Sequence, residues 1–341
     1  MKYIDNDNLY KLLDALGEEY RVFVPEKRGE HRFYREYSSG TDAVLIGEVR
    51  SVEPLKSFFT KAQEKVAEDF KSDTPGADDK PFAIVGVKAC DLKGFKVQDF
   101  VFKSHDAADP FYLNKREKNL VISADCTCTI ETCFCAALGD KPYPKSDFDL
   151  NLSLVEKGFV VEVGSERGRK IVDRNSGLFQ DAVDETVTAK DKQREDVSEQ
   201  VENNVKSSDM PRSDALKGVI EKTYESDTWQ DEARECVECG ACTIICPSCH
   251  CFLLYDQKDD KRMARLKAWD SCMIKDYARV AGGANPRDYL WMRLRNRFEK
   301  KFDFFPKVAE VFGCTGCGRC ISACPAKIDI RKVLNRLVKD A

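Results

Sequence analysis

The chain has 341 residues, of which 42% are hydrophobic and 33% charged, an ordinary composition for a globular protein of two domains. The formal net charge of −4 is close to neutral and argues against a nucleic acid or an anionic membrane surface as partner. The N-terminus has no basic and apolar leader, and no segment approaches the roughly 18 apolar residues of a membrane span. We therefore expect a cytoplasmic protein without direct membrane insertion.

The chain begins with a pattern that predicts a helix followed by short strands. Asp5 is suited to cap a helix that carries four leucines on one face and ends at Gly17. Residues 21–24 and 43–46 read as strands, with a polar and aromatic loop or hairpin between them.

Two continuous apolar runs, residues 82–87 and 120–124, predict strands that are buried on both faces. Helical patterns lie between the two runs, and this order predicts a parallel βαβ pair. Residues 152–163 indicate a hairpin. We therefore expect residues 1–165 to form an α/β or α+β domain with a short, partly parallel sheet.

The rest of the chain divides by composition. Charged and small polar residues dominate from about 181 to 226, so residues 166–227 are expected to form a charged linker or helical arm, with loose packing as the open alternative. Residues 228–341 carry apolar stripes at helical spacing, and these predict an α-helical domain interrupted by cysteines.

Cysteine is the most informative residue type in this sequence. The chain contains 16 cysteines and only 3 histidines, so a reducing compartment favours thiolate-ligated metal, which means iron–sulfur clusters or zinc.

Two runs of the form CxxCxxCxxxCP occupy the C-terminal third, at residues 236–247 and 314–325. In such runs the first three cysteines bind one [4Fe-4S] cluster and the fourth binds the other. The rule assigns the first cluster to Cys236, Cys239, Cys242 and Cys324. It assigns the second to Cys246, Cys314, Cys317 and Cys320. Zinc sites are the alternative, but zinc ribbons use isolated CxxC pairs. Gly240, Gly316 and Gly318 are expected to give the backbone room beside the sulfides.

A further set of cysteines follows the two apolar strands. Cys90 comes just after the first strand and Cys126 just after the second, so parallel neighbours would bring both thiols to one sheet edge. With Cys133 and Cys135 they predict a third [4Fe-4S] cluster, and Cys128 is a spare or substitute ligand. A zinc clip and ordinary buried thiols remain open alternatives.

Three more cysteines have no assigned site: Cys249, Cys251 and Cys272. A structural role is favoured for them, and ligation of another centre with His250 or Cys128 is the alternative. The sequence contains no Rossmann GxGxxG, P-loop, GxSxG or HExxH motif, so electrons are expected to enter and leave through partners.

These motifs together resemble one known family. The resemblance rests on residues 86–93, 132–135, 238–243, 246–251, 269–272, 281–283 and 316–320. The family contains the sulfhydrogenase beta subunit and the anaerobic sulfite reductase A subunit. The sequence departs from its pattern at Ala89, where we expect proline, at His250, where we expect an aromatic residue, and at the additional Cys128.

The resemblance implies an electron-transfer subunit within a hetero-oligomer. Such a subunit relays electrons between a flavin- and NAD(P)-binding reductase subunit and a catalytic oxidoreductase subunit, such as a hydrogenase or sulfite reductase. The resemblance also favours the third cluster. In the alternative hypothesis the N-terminal cluster is itself catalytic, acting on a thiol or sulfur compound at an open iron position.

Overall fold

The computed structural model of the protein describes residues 1–40, 45–73, 80–103, 108–258 and 261–341. Within these residues the strands are β1 (Lys2–Asp5), β2 (Arg21–Arg28), β3 (His31–Glu36), β4 (Gln63–Glu68), β5 (Lys71–Ser72), β6 (Phe82–Val87), β7 (Leu120–Ala124), β8 (Leu150–Val155), β9 (Gly158–Val163), β10 (Gln180–Asp181), β11 (Phe252–Lys258) and β12 (Met263–Trp269).

The α-helices in the same residues are α1 (Asn6–Glu19), α2 (Lys56–Phe59), α3 (Ala89–Phe102), α4 (Pro110–Lys118), α5 (Glu166–Arg174), α6 (Asp184–Ser207), α7 (Val219–Lys222), α8 (Thr228–Ala233), α9 (Ala241–Ile244), α10 (Leu290–Glu299), α11 (Phe305–Ala309), α12 (Arg319–Ser322) and α13 (Ile330–Asp340). A π-helical turn, Lys300–Phe304, joins α10 to α11. None of the described helices is long and apolar enough to cross a membrane.

The larger of two sheets has eight strands in the order β10-β1-β9-β8-β7-β6-β2-β3. Strands β2, β6, β7 and β8 run parallel in its centre, and antiparallel strands flank them on both sides. The predicted parallel pair β6–β7 and the predicted hairpin β8–β9 are both confirmed. Strand β6 packs Ala83 and Val85 into one apolar core and Ile84 and Val87 into another, which explains its continuous apolar sequence.

Helix α1 begins as predicted but ends later. The Asp5 carboxylate accepts a hydrogen bond from the Asn8 backbone N–H, as expected of a cap, and the four leucines are buried. The helix continues past Gly17 to Glu19, since one glycine costs a helix only about 1 kcal/mol. Residues 43 and 44 of the predicted strand lie outside the described residues, and residues 45 and 46 lie in no strand.

The charged segment contains the packed helix α6. Its Val197, Val201 and Val205 recur at every fourth position and are buried. Arg194, on the same helix, forms an ion pair with Asp125 at 2.7 Å, just beyond the end of β7. This helix is therefore packed against the sheet domain, and the loose alternative is wrong for residues 184–207.

The smaller sheet corrects the prediction of an α-helical C-terminal domain. Strands β11 and β12 form an antiparallel hairpin between the two cysteine runs, and β12 pairs with the distant strand β4. Helices precede and follow this hairpin in the chain, but the all-helical expectation is wrong for residues 252–269. The stabilising hydrogen bonds run to a strand about 200 residues earlier, so local periodicity does not reveal them.

Candidate functional site

The first thiol set lines one pocket. Its members are Cys236, Cys239, Cys242 and Cys324. Cys239 is exposed, and desolvation raises the pKa of Cys236. Gly240, at φ +70°, turns the chain inside the set, and a Cβ there would lie 3.1 Å from Ser271 Oγ. The structure thus brings together the four thiols that the spacing rule assigned to one cluster.

The second thiol set is more deeply buried. Its members are Cys246, Cys314, Cys317 and Cys320. The other three thiols all act electrostatically on Cys320, whose pKa is raised to about 12, chiefly by burial. The Lys301 ammonium donates to Cys246 Sγ at 3.3 Å and to the Gly313 carbonyl at 3.1 Å. The pKa of Cys246 is lowered, first by a hydrogen bond from Cys249 and then by this ammonium among other groups.

The third thiol set lies at the carboxyl edge of the parallel strands. Its members are Cys90, Cys126, Cys133 and Cys135. Cys90 is in the first turn of α3, immediately after β6, and Cys126 follows β7. Cys126 acts electrostatically on both Cys90 and Cys135, and Cys133 acts on Cys135. Desolvation raises the pKa of all four thiols. Cys90 and Cys126 therefore lie at the edge of the sheet that the sequence predicted for them.

The second and third sets meet through backbone contacts. The Phe134 N–H donates to the Gly316 carbonyl at 2.8 Å. Gly316 has φ +65°, and a Cβ on it would lie 2.4 Å from Cys135 Cα. Gly318 has φ +69°, and its Cβ would lie 2.1 Å from the Thr132 carbonyl oxygen. Both glycines are required because the two cysteine loops touch at these points.

Buried cations lie where the second and third sets meet. Arg319 is fully buried and forms an ion pair with Asp91 at 2.8 Å. Its charge lies within electrostatic reach of Cys90 in the third set and Cys317 in the second. Arg50 donates to the Cys317 carbonyl oxygen. It also lowers the pKa of Cys133, although burial raises that pKa by a larger amount.

Lys88 adds another buried cation at the edge of the third set. Its ammonium donates to the Ile46 carbonyl at 2.7 Å and to the Asp125 carbonyl at 3.1 Å. Burial lowers its pKa, and Cys126 and Cys128 are among the groups that oppose this shift. Cys128 therefore lies near Lys88 and Cys126, at the edge of the third set.

The unpartnered donors test whether these sets suit anionic clusters. In the described part of the chain, Arg297 Nε and Nη2 and Arg319 Nη1 are buried without a hydrogen-bond partner. Arg297 lies within electrostatic reach of Cys242 in the first set and Cys320 in the second. N–H groups that lack a partner beside the thiols can donate hydrogen bonds to the sulfur atoms of a cluster. The buried cations offset the negative charge of such a cluster. The donor set and the bare N–H groups therefore fit [4Fe-4S] clusters.

The remaining cysteines, Cys249, Cys251 and Cys272, each lie next to another thiol. Cys249 hydrogen-bonds with Cys246, and Cys251 hydrogen-bonds with Cys272. His250 directs its Nδ1 atom to the Ser248 carbonyl, at 3.1 Å. Desolvation lowers the pKa of His250 to about 4, and its ring meets Phe305 edge to face.

Sequence reasoning missed the cations that surround the thiols. They are Arg50, Lys88, Arg297, Lys301 and Arg319. Lys88 and Arg319 lie within two residues of a predicted ligand, and this closeness was a usable signal. Arg50 and Lys301 are far along the chain from the thiols that they serve, so the sequence offered no signal for them.

Comparison with known proteins agrees with the cysteine pattern. Residues 235–328 match the family described as 4Fe-4S dicluster domain, and this segment spans both C-terminal cysteine runs. Sulfhydrogenase 2 subunit beta of Pyrococcus furiosus is 30% identical over 341 residues, which cover 99% of this chain and 98% of that protein. Pyruvate-flavodoxin oxidoreductase of Trichormus variabilis is 27% identical over 103 residues, 30% of this chain and 7% of that protein. The first likeness extends over both the sheet domain and the cysteine runs.

Proposed function

Because the chain belongs to the iron–sulfur subunit family that includes the sulfhydrogenase beta subunit, we propose that it relays electrons inside a multisubunit oxidoreductase of the hydrogenase type. Its partners are a flavin- and NAD(P)-binding subunit and a catalytic subunit. Residues 228–341 hold the first two [4Fe-4S] clusters, and residues 1–165 supply the ligands of a third. The relayed electrons pass between partners, so the chain is one component of a hetero-oligomer.

The observation that supports this proposal most directly is that the third thiol set adjoins the second and the second adjoins the first. The third set adjoins the second where Phe134 donates to Gly316. The second adjoins the first because Cys320 also lines the pocket of the first set and Arg297 lies within electrostatic reach of both. Each [4Fe-4S] cluster exchanges one electron at a potential set by charge, burial and hydrogen bonds to sulfur.

The chain's own side chains prepare these sets to hold metal. Burial raises the pKa of most of the thiols, so they are protonated without metal and release protons on ligation. Ligation leaves negatively charged thiolates. This charge is compensated by the nearby cations Lys88, Arg319, Arg297 and Lys301.

A partner subunit docks at the first thiol set, which is the more exposed of the two C-terminal sets. Cys239 is exposed, and the adjacent Val237 side chain is 64% exposed. Cys246, Cys314 and Cys317 of the second set are at most 8% exposed. Because electron transfer requires close approach, a partner docks over residues 237–239 rather than over the second set.

Iron and acid-labile sulfide analysis of the anaerobically purified protein tests the number of clusters. We expect about 12 irons per chain, since each cubane contains four. Cys126→Ser removes a proposed ligand of the third set and is expected to leave about 8 irons. The matched variant Cys128→Ser, which removes the neighbouring spare thiol, is expected to keep the full content.

Spectroscopy and purification complete the test. Electron paramagnetic resonance of the reduced protein is expected to show the signals of interacting [4Fe-4S] clusters. The spectrum of Cys126→Ser is expected to be simpler, because one cluster is missing. Purification from the native source is expected to bring stoichiometric partner subunits. About 8 irons in the unsubstituted protein would contradict the third cluster. Purification of the chain from its native source as a lone monomer, without partner subunits, would contradict the relay.

A further inference from the structure

The hairpin β11–β12 brings together two cysteines that the three sets do not use. Cys251 directly precedes β11, and Cys272 follows β12 by three residues. Phe252 pairs with Trp269 at the base of the hairpin, and the Asp270 N–H donates to the Cys251 carbonyl at 2.9 Å. The two thiols, 21 positions apart in the sequence, are thus held side by side by regular β-structure.

The two thiols differ in chemical character. Cys251 is the stronger acid: a hydrogen bond from Cys272 is the largest influence on it, and the Tyr277 hydroxyl also donates to its Sγ at 3.5 Å. Together these donors lower the pKa of Cys251 to about 6, whereas the pKa of Cys272 is raised. A thiolate beside a protonated thiol is the arrangement of a nucleophilic cysteine with a resolving partner.

The two thiols also differ in accessibility. Cys251 is partly exposed and lines a pocket together with Cys249, Phe252 and Trp269. Cys272 is 3% exposed and packs in the C-terminal core. An external reagent therefore meets Cys251 first.

We propose that Cys251 and Cys272 form a redox-active dithiol that reduces small disulfides. The Cys251 thiolate attacks one sulfur of the disulfide, the S–S bond breaks, and one thiolate leaves and takes up a proton. Cys272 then loses its proton and attacks the Cys251 sulfur. This step forms the Cys251–Cys272 disulfide and releases the second thiol.

The cycle closes when the protein disulfide takes up two electrons and two protons. This step rests on the proposed function, because the iron–sulfur relay would supply the two electrons. The first half of the cycle is independent of the relay: it oxidises two protein thiols and reduces one external disulfide, with no other reagent.

The test uses the complete, cluster-loaded protein under anaerobic conditions, with bis(2-hydroxyethyl) disulfide as the probe. Peptide mass spectrometry after rapid alkylation is expected to show a Cys251–Cys272 disulfide and two released mercaptoethanol molecules per chain. Cys272→Ser is expected to trap the probe on Cys251 and release one. Cys251→Ser is expected to show neither product at these positions. The absorption and resonance signals of the clusters serve as the control for an intact relay.

Two results would overturn the inference while leaving the relay in place. One is the absence of the Cys251–Cys272 disulfide in a protein whose cluster signals are intact. The other is a loss of iron or zinc in Cys251→Ser, which would make these thiols ligands of a fourth metal centre. Conversely, a disulfide that forms in a protein without reducible clusters would support the dithiol and contradict the proposed relay.

Discussion

Replacing Asp91 with asparagine tests the buried ion pair between the second and third thiol sets. The Arg319 and Asp91 side chains are 0% and 1% exposed, and the guanidinium and carboxylate lie 2.8 Å apart. Asparagine keeps the shape of the side chain and can still accept the Leu55 N–H, but it removes the negative charge. Because this leaves the guanidinium buried without its anion, we expect a loss of about 3–5 kcal/mol in the free energy of unfolding.

Thermal unfolding of the cluster-loaded protein measures this loss. At about 2 °C per kcal/mol for a chain of this size, the midpoint should fall by roughly 6–10 °C. Asp231→Asn is the matched control, because Asp231 pairs with Arg336 at 2.9 Å with both side chains 44% exposed. An exposed pair contributes about 0–1 kcal/mol, so the control should shift the midpoint by at most about 2 °C.

The double variant Asp91→Asn with Arg319→Met separates charge from packing. Removing both charges eliminates the unpaired ion, so the double variant should be more stable than the sum of the two single losses predicts. Iron analysis shows whether each variant keeps its clusters. If Asp91→Asn keeps its full iron content and unfolds at the same midpoint as the exposed control, the buried pair contributes no more than an exposed one.

Further predictions concern the glycine contact, the cysteine pair and the buried lysine. Gly318→Ala should lower the iron content and the midpoint, whereas Gly282→Ala, also at positive φ but with nothing within 4 Å of its Cβ, should cost only about 1 kcal/mol. The rate of Cys251 alkylation should rise with pH through about 6, because the thiolate reacts, and Tyr277→Phe should move that rise to higher pH. Lys301→Met removes the ammonium 3.3 Å from a proposed ligand of the second cluster, so a redox titration followed by paramagnetic resonance should show a lower potential.

Local spacing and strand order predicted the positions of most thiols. Cys90 and Cys126 each follow a buried strand, and the carboxyl ends of parallel neighbours meet at one edge whatever the loops do. The cysteine runs are equally local, since each loop places three thiols within seven residues. Each of these inferences depends only on a short stretch of backbone or on one pairing of neighbouring strands.

The features that the sequence did not reveal depend on contacts between distant segments. Strand β12 pairs with β4, and Arg50 reaches the Cys317 carbonyl across 267 positions. For helix α6 the sequence predicted a charged linker or a helical arm and left its packing open. The valines that recur at every fourth position on this helix are the local signal of its buried face.

Gly316 and Gly318 show how a local explanation can miss the cause. The cysteine motif alone suggested that these glycines make room for sulfides, and Gly240 was explained in the same way. In the structure a Cβ at Gly316 or Gly318 would instead collide with backbone atoms of residues 132–135, the loop that carries the third set. At Gly240 the nearest atoms belong to the Ser271 side chain. The two glycines of the second run therefore do more than shape their own loop: they let the sheet domain and the C-terminal cysteine loops touch, which a relay between the second and third sets requires.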